Sequence, residues 1–170
     1  MIYLYIFDMG GVVTNNSMSV EAGVELSMAS DKAGEDLDAL VAGVIDSDEF
    51  LRRRAAGTGE EIARDLLTRT FQPVPDTEVL ELARALKKTS RVVVGTNTIA
   101  PHYDIHFRNG DYGIFDTVYA SYLIGLAKPD PAFYLHILKE ENRTPEETVF
   151  IDDKEANVAA ARKIGIHGFV

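Results

Sequence analysis

Short apolar runs alternate with longer segments of helical periodicity along this chain. Residues 2–7, 91–95 and 148–151 are almost entirely apolar or β-branched, and such runs are typical of strands buried on both faces of a parallel sheet. Residues 116–120 and 167–170 are weaker candidates of the same kind. The pattern therefore predicts five strands.

Helical signals lie between these runs. Apolar side chains with helical spacing are Val79, Leu82, Ala83 and Leu86, and, further along, Tyr134, Ile137 and Leu138. Asp130 followed by Pro131 is a favourable helix start, because Asp caps free amides and Pro suits the first helical position. Thr144 to Glu147 has the form of a capping box directly before a strand, so that helix must be very short. A later helix is expected to end at Gly165. The alternation of strands and helices predicts an α/β fold with a doubly wound parallel sheet.

An insertion separates the first predicted strand from the rest of the sheet. About sixty residues between Ser17 and Pro75 show only helical periodicity, which is longer than an ordinary crossover. The apolar stripes in it are Leu37, Leu40, Val41 and Val44, and then Ile62, Leu66 and Phe71, with a break expected at Gly57, Thr58 and Gly59. Residues 72–75 contain two prolines and are interpreted as a returning linker. We therefore expect a core of residues 1–16 and 76–170 and a small helical cap of residues 17–75.

Charge and composition narrow the classes of function. The net charge is −10, from 27 acidic and 17 basic side chains, so an overall repulsion disfavours nucleic acid as a partner. No apolar run approaches the roughly 20 residues of a membrane span, and we expect a cytoplasmic protein that does not bind membranes. Cysteine is absent, which excludes thiol chemistry and leaves carboxylates, hydroxyls, Lys and His for catalysis.

Polar residues follow the predicted strands at the edge where open parallel sheets bind ligands. Asp8 follows the first strand, Thr96 and Asn97 the second, and Asp152 and Asp153 the fourth. An aspartate can attack phosphorus and form an aspartyl phosphate, and carboxylate and carbonyl oxygens are the ligands that Mg²⁺ prefers. Phosphoryl transfer with Mg²⁺ is therefore the chemistry that this set favours.

Two further elements suit a bound phosphate. Lys128, in the loop before the Asp130 helix, can neutralise phosphate charge and restrain Asp8, and the Thr96 hydroxyl can donate to a phosphoryl oxygen. Gly10 and Gly11 allow a close approach of the main chain to an anion.

His102 and His106 are four residues apart and could be taken for a metal pair on a helix. No third ligand is suitably spaced, so we interpret them as the edge of a pocket or as surface residues. Three consecutive arginines, at positions 52–54, are interpreted as a solvated helix face.

Four motifs together resemble those of the haloacid dehalogenase superfamily. In order they are residues 7–13 (FDMGGVV), 92–97 (VVVGTN), 125–131 (GLAKPDP) and 150–157 (FIDDKEAN). The residues of these motifs are similar to those of small-capped bacterial members that hydrolyse sugar phosphates, of the glucose-1-phosphate phosphatase type. The resemblance implies the superfamily's Rossmann-like core with a cap after the first strand, a Mg²⁺ cofactor and a small phosphorylated substrate.

The same resemblance assigns roles to residues. Asp8 is implied as the nucleophile, and Thr96 and Lys128 as its catalytic partners. The implied metal ligands are Asp8, the Gly10 carbonyl, Asp152 and Asp153, and it stays open which residue of the acidic pair touches the metal. The implied substrate-binding residues are Met9, Gly10, Gly11, Thr96, Asn97 and Lys128.

Gly10 departs from the superfamily pattern, which usually has a second aspartate there that acts as general acid and base. The favoured function is a Mg²⁺-dependent phosphatase of small phosphate monoesters, and the alternative is a catalytically weak or silent protein that binds a phosphorylated ligand or a protein partner. Carbon–halogen hydrolysis needs no Mg²⁺ site, and a phosphomutase needs the missing aspartate even more. Without that acid, Gly10 predicts slow turnover that depends steeply on the leaving group.

Overall fold

A five-stranded parallel sheet forms the centre of the protein, as the sequence predicts. The computed structural model describes residues 1–15, 33–58, 67–68 and 71–170. The sheet strands are β1 (Leu4–Phe7), β4 (Arg91–Thr96), β5 (Val118–Ala120), β6 (Thr148–Ile151) and β7 (His167–Phe169). Their spatial order is β5-β4-β1-β6-β7, and every neighbouring pair is parallel. The first strand therefore lies in the middle, with its carboxyl end between those of β4 and β6.

Seven α-helices and a small hairpin complete the described part of the chain. The helices are α1 (Ala33–Val41), α2 (Ser47–Thr58), α3 (Thr77–Leu86), α4 (Ala100–Asn109), α5 (Ser121–Ile124), α6 (Pro131–Glu140) and α7 (Glu155–Lys163). A 3₁₀ turn spans Pro145–Glu147. The two-residue strands β2 (Thr14–Asn15) and β3 (Val74–Pro75) pair antiparallel, so the predicted linker returns beside the first strand's loop. None of the helices searched combines the length and the apolar character that crossing a bilayer requires.

Alternate residues of the central strands bury themselves in two separate cores. Leu4, Ile6 and Val93 face one core, whereas Phe7 and Val92 face the other. The first core is closed by α6 and α7, and the second by α3 and the segment around Tyr112 and Phe115. Both faces of the sheet are thus covered, which explains why its strands are almost continuously apolar.

The predicted helix boundaries in the second half of the chain are confirmed. Asp130 accepts from the Ala132 amide as the N-cap of α6, with Pro131 at the helix start. Thr144 and Glu147 form the capping box of the short 3₁₀ turn. Gly165 follows α7 with a φ of +96°, a conformation that favours glycine.

The apolar stripes of the helices were predicted less well. Leu82 is 50% exposed, because the buried side of α3 is centred on Ala83. In the predicted cap Leu40 is buried, but Leu37 is 39% exposed, and Val44 lies beyond the end of α1 and is 75% exposed. Helix α2 ends at Thr58, inside the break predicted at Gly57, Thr58 and Gly59.

The remaining predictions for the cap concern its second apolar stripe and the three arginines. Ile62, Leu66 and Gly59 lie outside the described residues. The arginines of α2 lie on an exposed to half-buried face, where Arg53 pairs with Glu49 and Asp36. The helix face predicted to be solvated thus carries an ion pair within α2 and an ion pair that joins α2 to α1.

Helices α1 and α2, which lie in the insertion, contact the core close to the second motif. Leu40, Phe50, Leu51 and Leu67 form an apolar cluster together with Ile99. Ser121 adds a polar link, because its hydroxyl lies 2.6 Å from the Val41 carbonyl and also accepts from the Thr98 amide at 3.0 Å. This contact places the end of α1 directly above the loop that follows β4.

Candidate active site

Lys128 is the centre of a buried charge cluster at the carboxyl edge of the sheet. Its ammonium lies 2.8 Å from Asp8 Oδ1, 2.7 Å from Asp152 Oδ2 and 2.9 Å from the Gly95 carbonyl. An ammonium has three donors, so all of them are used. The side chain is only 1% exposed. The structure therefore brings together three of the residues that the sequence singled out, from three different loops.

Asn97 fixes the main chain that carries this lysine. Its amide nitrogen donates to the Lys128 carbonyl and its amide oxygen accepts from the Lys128 N–H, both at 2.8 Å. The pair of bonds ties the end of β4 to the loop before α6. The Asn97 amide is thus engaged in holding Lys128 in place, while the residue also borders the cleft above Asp8.

Asp152 is held by a residue whose role sequence reasoning missed. The Asn157 side-chain amide lies 2.9 and 3.0 Å from the two oxygens of Asp152, and the Lys154 amide donates to Oδ1 at 2.9 Å. Asn157 stands five residues after Asp152, in the first turns of α7. An amide side chain this close behind a strand-end carboxylate is the signal that could have identified it.

Three carboxylates form the strongest candidate metal centre in the described part of the chain. Asp8, Asp152 and Asp153 each offer an oxygen, and these atoms lie within 4.8 Å of one another. Hard oxygen donors of this kind suit Mg²⁺. Three negative groups face the single buried ammonium of Lys128, so a divalent cation would balance the charge. The residues present therefore fit the metal that the motifs imply.

Burial controls the protonation of Asp8. Removal from water raises the pKa of this carboxyl above its ordinary value of 3.8, Lys128 acts in the opposite direction, and the neighbouring Asp152 raises it further. The Met9 amide and Lys128 both contact Oδ1. A cation placed at the three carboxylates would favour the ionised form that a nucleophile needs.

Gly11 permits the close approach of two loops. Its φ is +87°, and a Cβ at this position would lie 2.4 Å from Asp153 Oδ2. Its N–H donates to the Thr14 carbonyl at 2.7 Å. Within the described structure this glycine therefore serves the turn after Asp8 and makes room for Asp153.

A cleft opens above Asp8 and is aromatic on one side. The residues that line it are Asp8, Met9, Gly10, Phe71, Thr96, Asn97, Thr98, His102, His106, Lys128, Lys154 and Asn157. Phe71 stacks on His102 with ring centroids 3.8 Å apart and meets His106 edge-on at 5.2 Å. Both histidines thus border the pocket, and neither belongs to a group of three potential metal ligands among the described residues.

His102 is an uncharged part of this wall. Burial lowers its pKa to about 4, although its contact with the Leu67 carbonyl acts in the opposite direction. The ring nitrogen Nε2 lies 2.7 Å from that carbonyl. At neutral pH this side of the cleft therefore carries no charge from His102.

Comparison with known proteins agrees with the fold and the motifs. Residues 2–165 match the haloacid dehalogenase-like hydrolase family. The sesquiterpene phosphatase astK of Aspergillus oryzae is 33% identical over 172 residues, which cover 96% of this chain and 86% of that protein. The D-ribitol-5-phosphate phosphatase of Bacteroides thetaiotaomicron is 25% identical over 190 residues, covering 99% and 91%.

A solved structure supports the same relationship. The HAD family enzyme bt-2542 of Bacteroides thetaiotaomicron, in complex with magnesium and inorganic phosphate, superimposes with a TM-score of 0.80 at 25% identity, covering 100% of this chain and 94% of that one. The family match extends over nearly the whole sequence and includes all four motifs. This chain is a member of the haloacid dehalogenase-like hydrolase family.

Proposed function

We propose that this protein is a Mg²⁺-dependent phosphatase of small phosphate monoesters that acts through an aspartyl phosphate on Asp8. The observation that carries the proposal is the buried contact of Lys128 with both Asp8 and Asp152, with Asp153 close by. A silent binding protein would not need a buried ammonium placed between two carboxylates, which is costly to maintain.

Asp8 is oriented for attack before any substrate arrives. Its Oδ1 is fixed by the Met9 amide at 2.7 Å and by Lys128, so the carboxylate cannot turn freely. Thr96 Oγ1 makes no hydrogen bond within the described residues, and this buried hydroxyl lines the cleft. It is therefore available to donate to a phosphoryl oxygen, while Lys128 balances charge on the same group.

The metal would be held by Asp8, the Gly10 carbonyl and the acidic pair. A bound Mg²⁺ supplies charge stabilisation to the phosphoryl oxygens. Both oxygens of Asp152 are already engaged by Lys128 and Asn157. Asp153 is exposed, so we propose that it contacts the metal directly and that Asp152 mainly positions Lys128.

We retain the proposed division into a core of residues 1–16 and 76–170 and a cap of residues 17–75. In support, Phe71 extends from the insertion to His102 in α4. The cleft thus has a catalytic floor from strand-end loops and a wall to which the insertion contributes.

The wall favours an apolar organic group on the substrate. Among the described lining residues, the side chains of Asn97, Asn157 and His102 already make intramolecular hydrogen bonds, so few groups remain to bind a row of hydroxyls. Met9 and Phe71 are apolar. We therefore propose a terpenyl or aryl phosphate in preference to a polyol or sugar phosphate, in line with the relative that is a sesquiterpene phosphatase.

A comparison of substrates with and without Mg²⁺ tests the proposal. We expect phosphate release only with Mg²⁺, and a higher kcat/KM for farnesyl phosphate than for ribitol 5-phosphate or glucose 1-phosphate. Asp8→Asn serves as the inactive reference. No release from any ester by a folded protein would support the silent alternative, and a preference for ribitol 5-phosphate would overturn the proposed substrate class.

The metal assignment has a separate test by thermal unfolding. Mg²⁺ should raise the Tm of the wild type, because it binds the native state, and should do so much less in Asp153→Ala. The control is Glu155→Ala, which removes an exposed carboxylate from the start of α7. Equal Mg²⁺ stabilisation in all three proteins would exclude Asp153 as a ligand.

A further inference from the structure

His106 and Asp111 form a buried pair that the roles given so far do not use. The ring nitrogen Nδ1 of His106 lies 2.8 Å from Asp111 Oδ2, and the two side chains are only 4% and 6% exposed. His106 lies in the last turn of α4, and Asp111 follows the Gly110 that ends this helix. A carboxylate at this distance fixes the orientation of the ring.

One member of the pair, His106, borders the cleft that contains Asp8. His106 lines that cleft, and its ring is held between Phe71, at 5.2 Å, and Tyr112, at 5.5 Å. The second ring nitrogen, Nε2, makes no hydrogen bond to any residue in the described ranges. The imidazole therefore has one nitrogen anchored and one nitrogen available.

A proton carrier is what the Asp8 loop lacks. Gly10 has no side chain, so the position that usually supplies a general acid has no group that can donate or accept a proton. Among the other lining groups, the Lys128 ammonium already makes three contacts, and His102 has its Nε2 bound to the Leu67 carbonyl. Both histidines have one anchored ring nitrogen, but burial lowers the pKa of His102 to about 4 and keeps that ring neutral, which leaves His106 among these groups.

We propose that His106, oriented by Asp111, is the catalytic acid and base of this phosphatase, a role that rests on the proposed function. When Asp8 attacks phosphorus, the bond to the leaving oxygen breaks and its electron pair takes the proton from His106 Nε2. In the second half, water attacks the aspartyl phosphate and gives a proton back to Nε2. Phosphate leaves, and Asp8 returns as a carboxylate.

The surroundings of His106 are consistent with this cycle. Asp111 is the negative group that faces the ring, and the other titratable neighbours are the neutral His102 and the Tyr112 phenol, whose pKa is raised by burial. The first half requires the protonated ring, so kcat/KM should fall on the alkaline side.

The decisive experiment compares leaving groups in His106→Gln. An alkyl phosphate needs a proton on its leaving oxygen, whereas p-nitrophenyl phosphate does not. We expect kcat/KM for the alkyl ester to fall by roughly 10²- to 10⁴-fold and kcat/KM for the aryl ester to change little. Loss of the base should also slow hydrolysis of the aspartyl phosphate, so that this intermediate accumulates and a burst of nitrophenol precedes the steady state. The steep leaving-group dependence that Gly10 alone predicts for the wild type should then appear in this variant instead.

Controls separate a catalytic role from a structural one. His136→Gln, on α6 and away from the cleft, should match the wild type, and Asp111→Asn, which conserves shape, should show a smaller loss that is again selective for the alkyl ester. In ¹⁵N NMR, inorganic phosphate with Mg²⁺ should shift the His106 Nε2 resonance. An equal loss on both esters, or no loss in a folded variant, would overturn the proposal. A wild type that hydrolyses neither ester would refute the proposed function itself.

Discussion

Replacement of Lys128 by Met should destabilise the metal-free protein strongly. The ammonium is 1% exposed and compensates two carboxylates, with Asp8 10% and Asp152 0% exposed. Removing one partner of a buried ion pair costs about 3–5 kcal/mol, because the remaining charge is left unpaired. For a domain of this size each kcal/mol lowers the Tm by about 2–4 °C. We therefore expect a Tm roughly 6–20 °C below the wild type at neutral pH.

The assay is thermal and urea unfolding in EDTA, with Lys154→Met as the matched control. Lys154 lines the same cleft but is exposed, and it contacts Asp152 only through its main-chain N–H. The control removes the same charge and should change stability by less than about 1 kcal/mol. A second arm adds Mg²⁺, which should stabilise Lys128→Met more than the wild type, because the carboxylates have lost their cation.

Two results would refute this reasoning. Equal stability of Lys128→Met and Lys154→Met in EDTA would show that the buried ammonium does not compensate the carboxylates. A deficit that persists unchanged at acidic pH would also contradict it, because protonated carboxyls no longer need a positive partner.

Three further predictions follow from the same site. Asp8→Asn should fold normally but lose turnover, and mass spectrometry should detect no acid-stable phosphoryl adduct on it, because an amide is a poor nucleophile. A phosphoryl adduct on the variant would rule out Asp8 as the nucleophile. Gly11→Ala should lower the free energy of unfolding by more than Gly110→Ala, because both glycines have positive φ but only Gly11 has a neighbour, Asp153, within 4 Å of the added Cβ; equal losses in urea would contradict the clash. In the metal-free protein the free energy of unfolding should fall as the pH rises from about 4 through the raised pKa of Asp8, because over this range the folded state binds more protons than the unfolded state. A difference in the free energy of unfolding between Asp8→Asn and the wild type that does not change with pH would contradict this prediction.

The positions of the proposed catalytic residues were predictable because parallel strands place their carboxyl ends together. Asp8, Thr96 and Asp152 each follow an apolar run that is easy to recognise, so the sequence alone assigns them to one edge. Lys128 was harder to place by pattern, and its position depends on Asn97, which holds the loop. The sequence could propose these residues, but the distances between them required the fold.

The aromatic wall could not be predicted in the same way. His106 and Asp111 meet across the end of a helix, where the chain reverses at Gly110, and hydropathy does not report such a reversal. Phe71 belongs to the insertion and is distant in sequence from His102, on which it stacks. Leu82 shows the complementary error, because a regular apolar spacing cannot reveal which side of α3 finds a partner.

The Ser121 hydroxyl has a consequence for recombining parts of such enzymes. This one side chain lies within hydrogen-bond distance of the Val41 carbonyl at 2.6 Å and of the Thr98 carbonyl at 3.1 Å, and it accepts from the Thr98 amide. A chimaera that receives residues 17–75 from another family member must therefore present a carbonyl at the place of Val41. A graft chosen only for sequence length would leave this hydroxyl without its shorter contact and would loosen the junction two residues from Thr96.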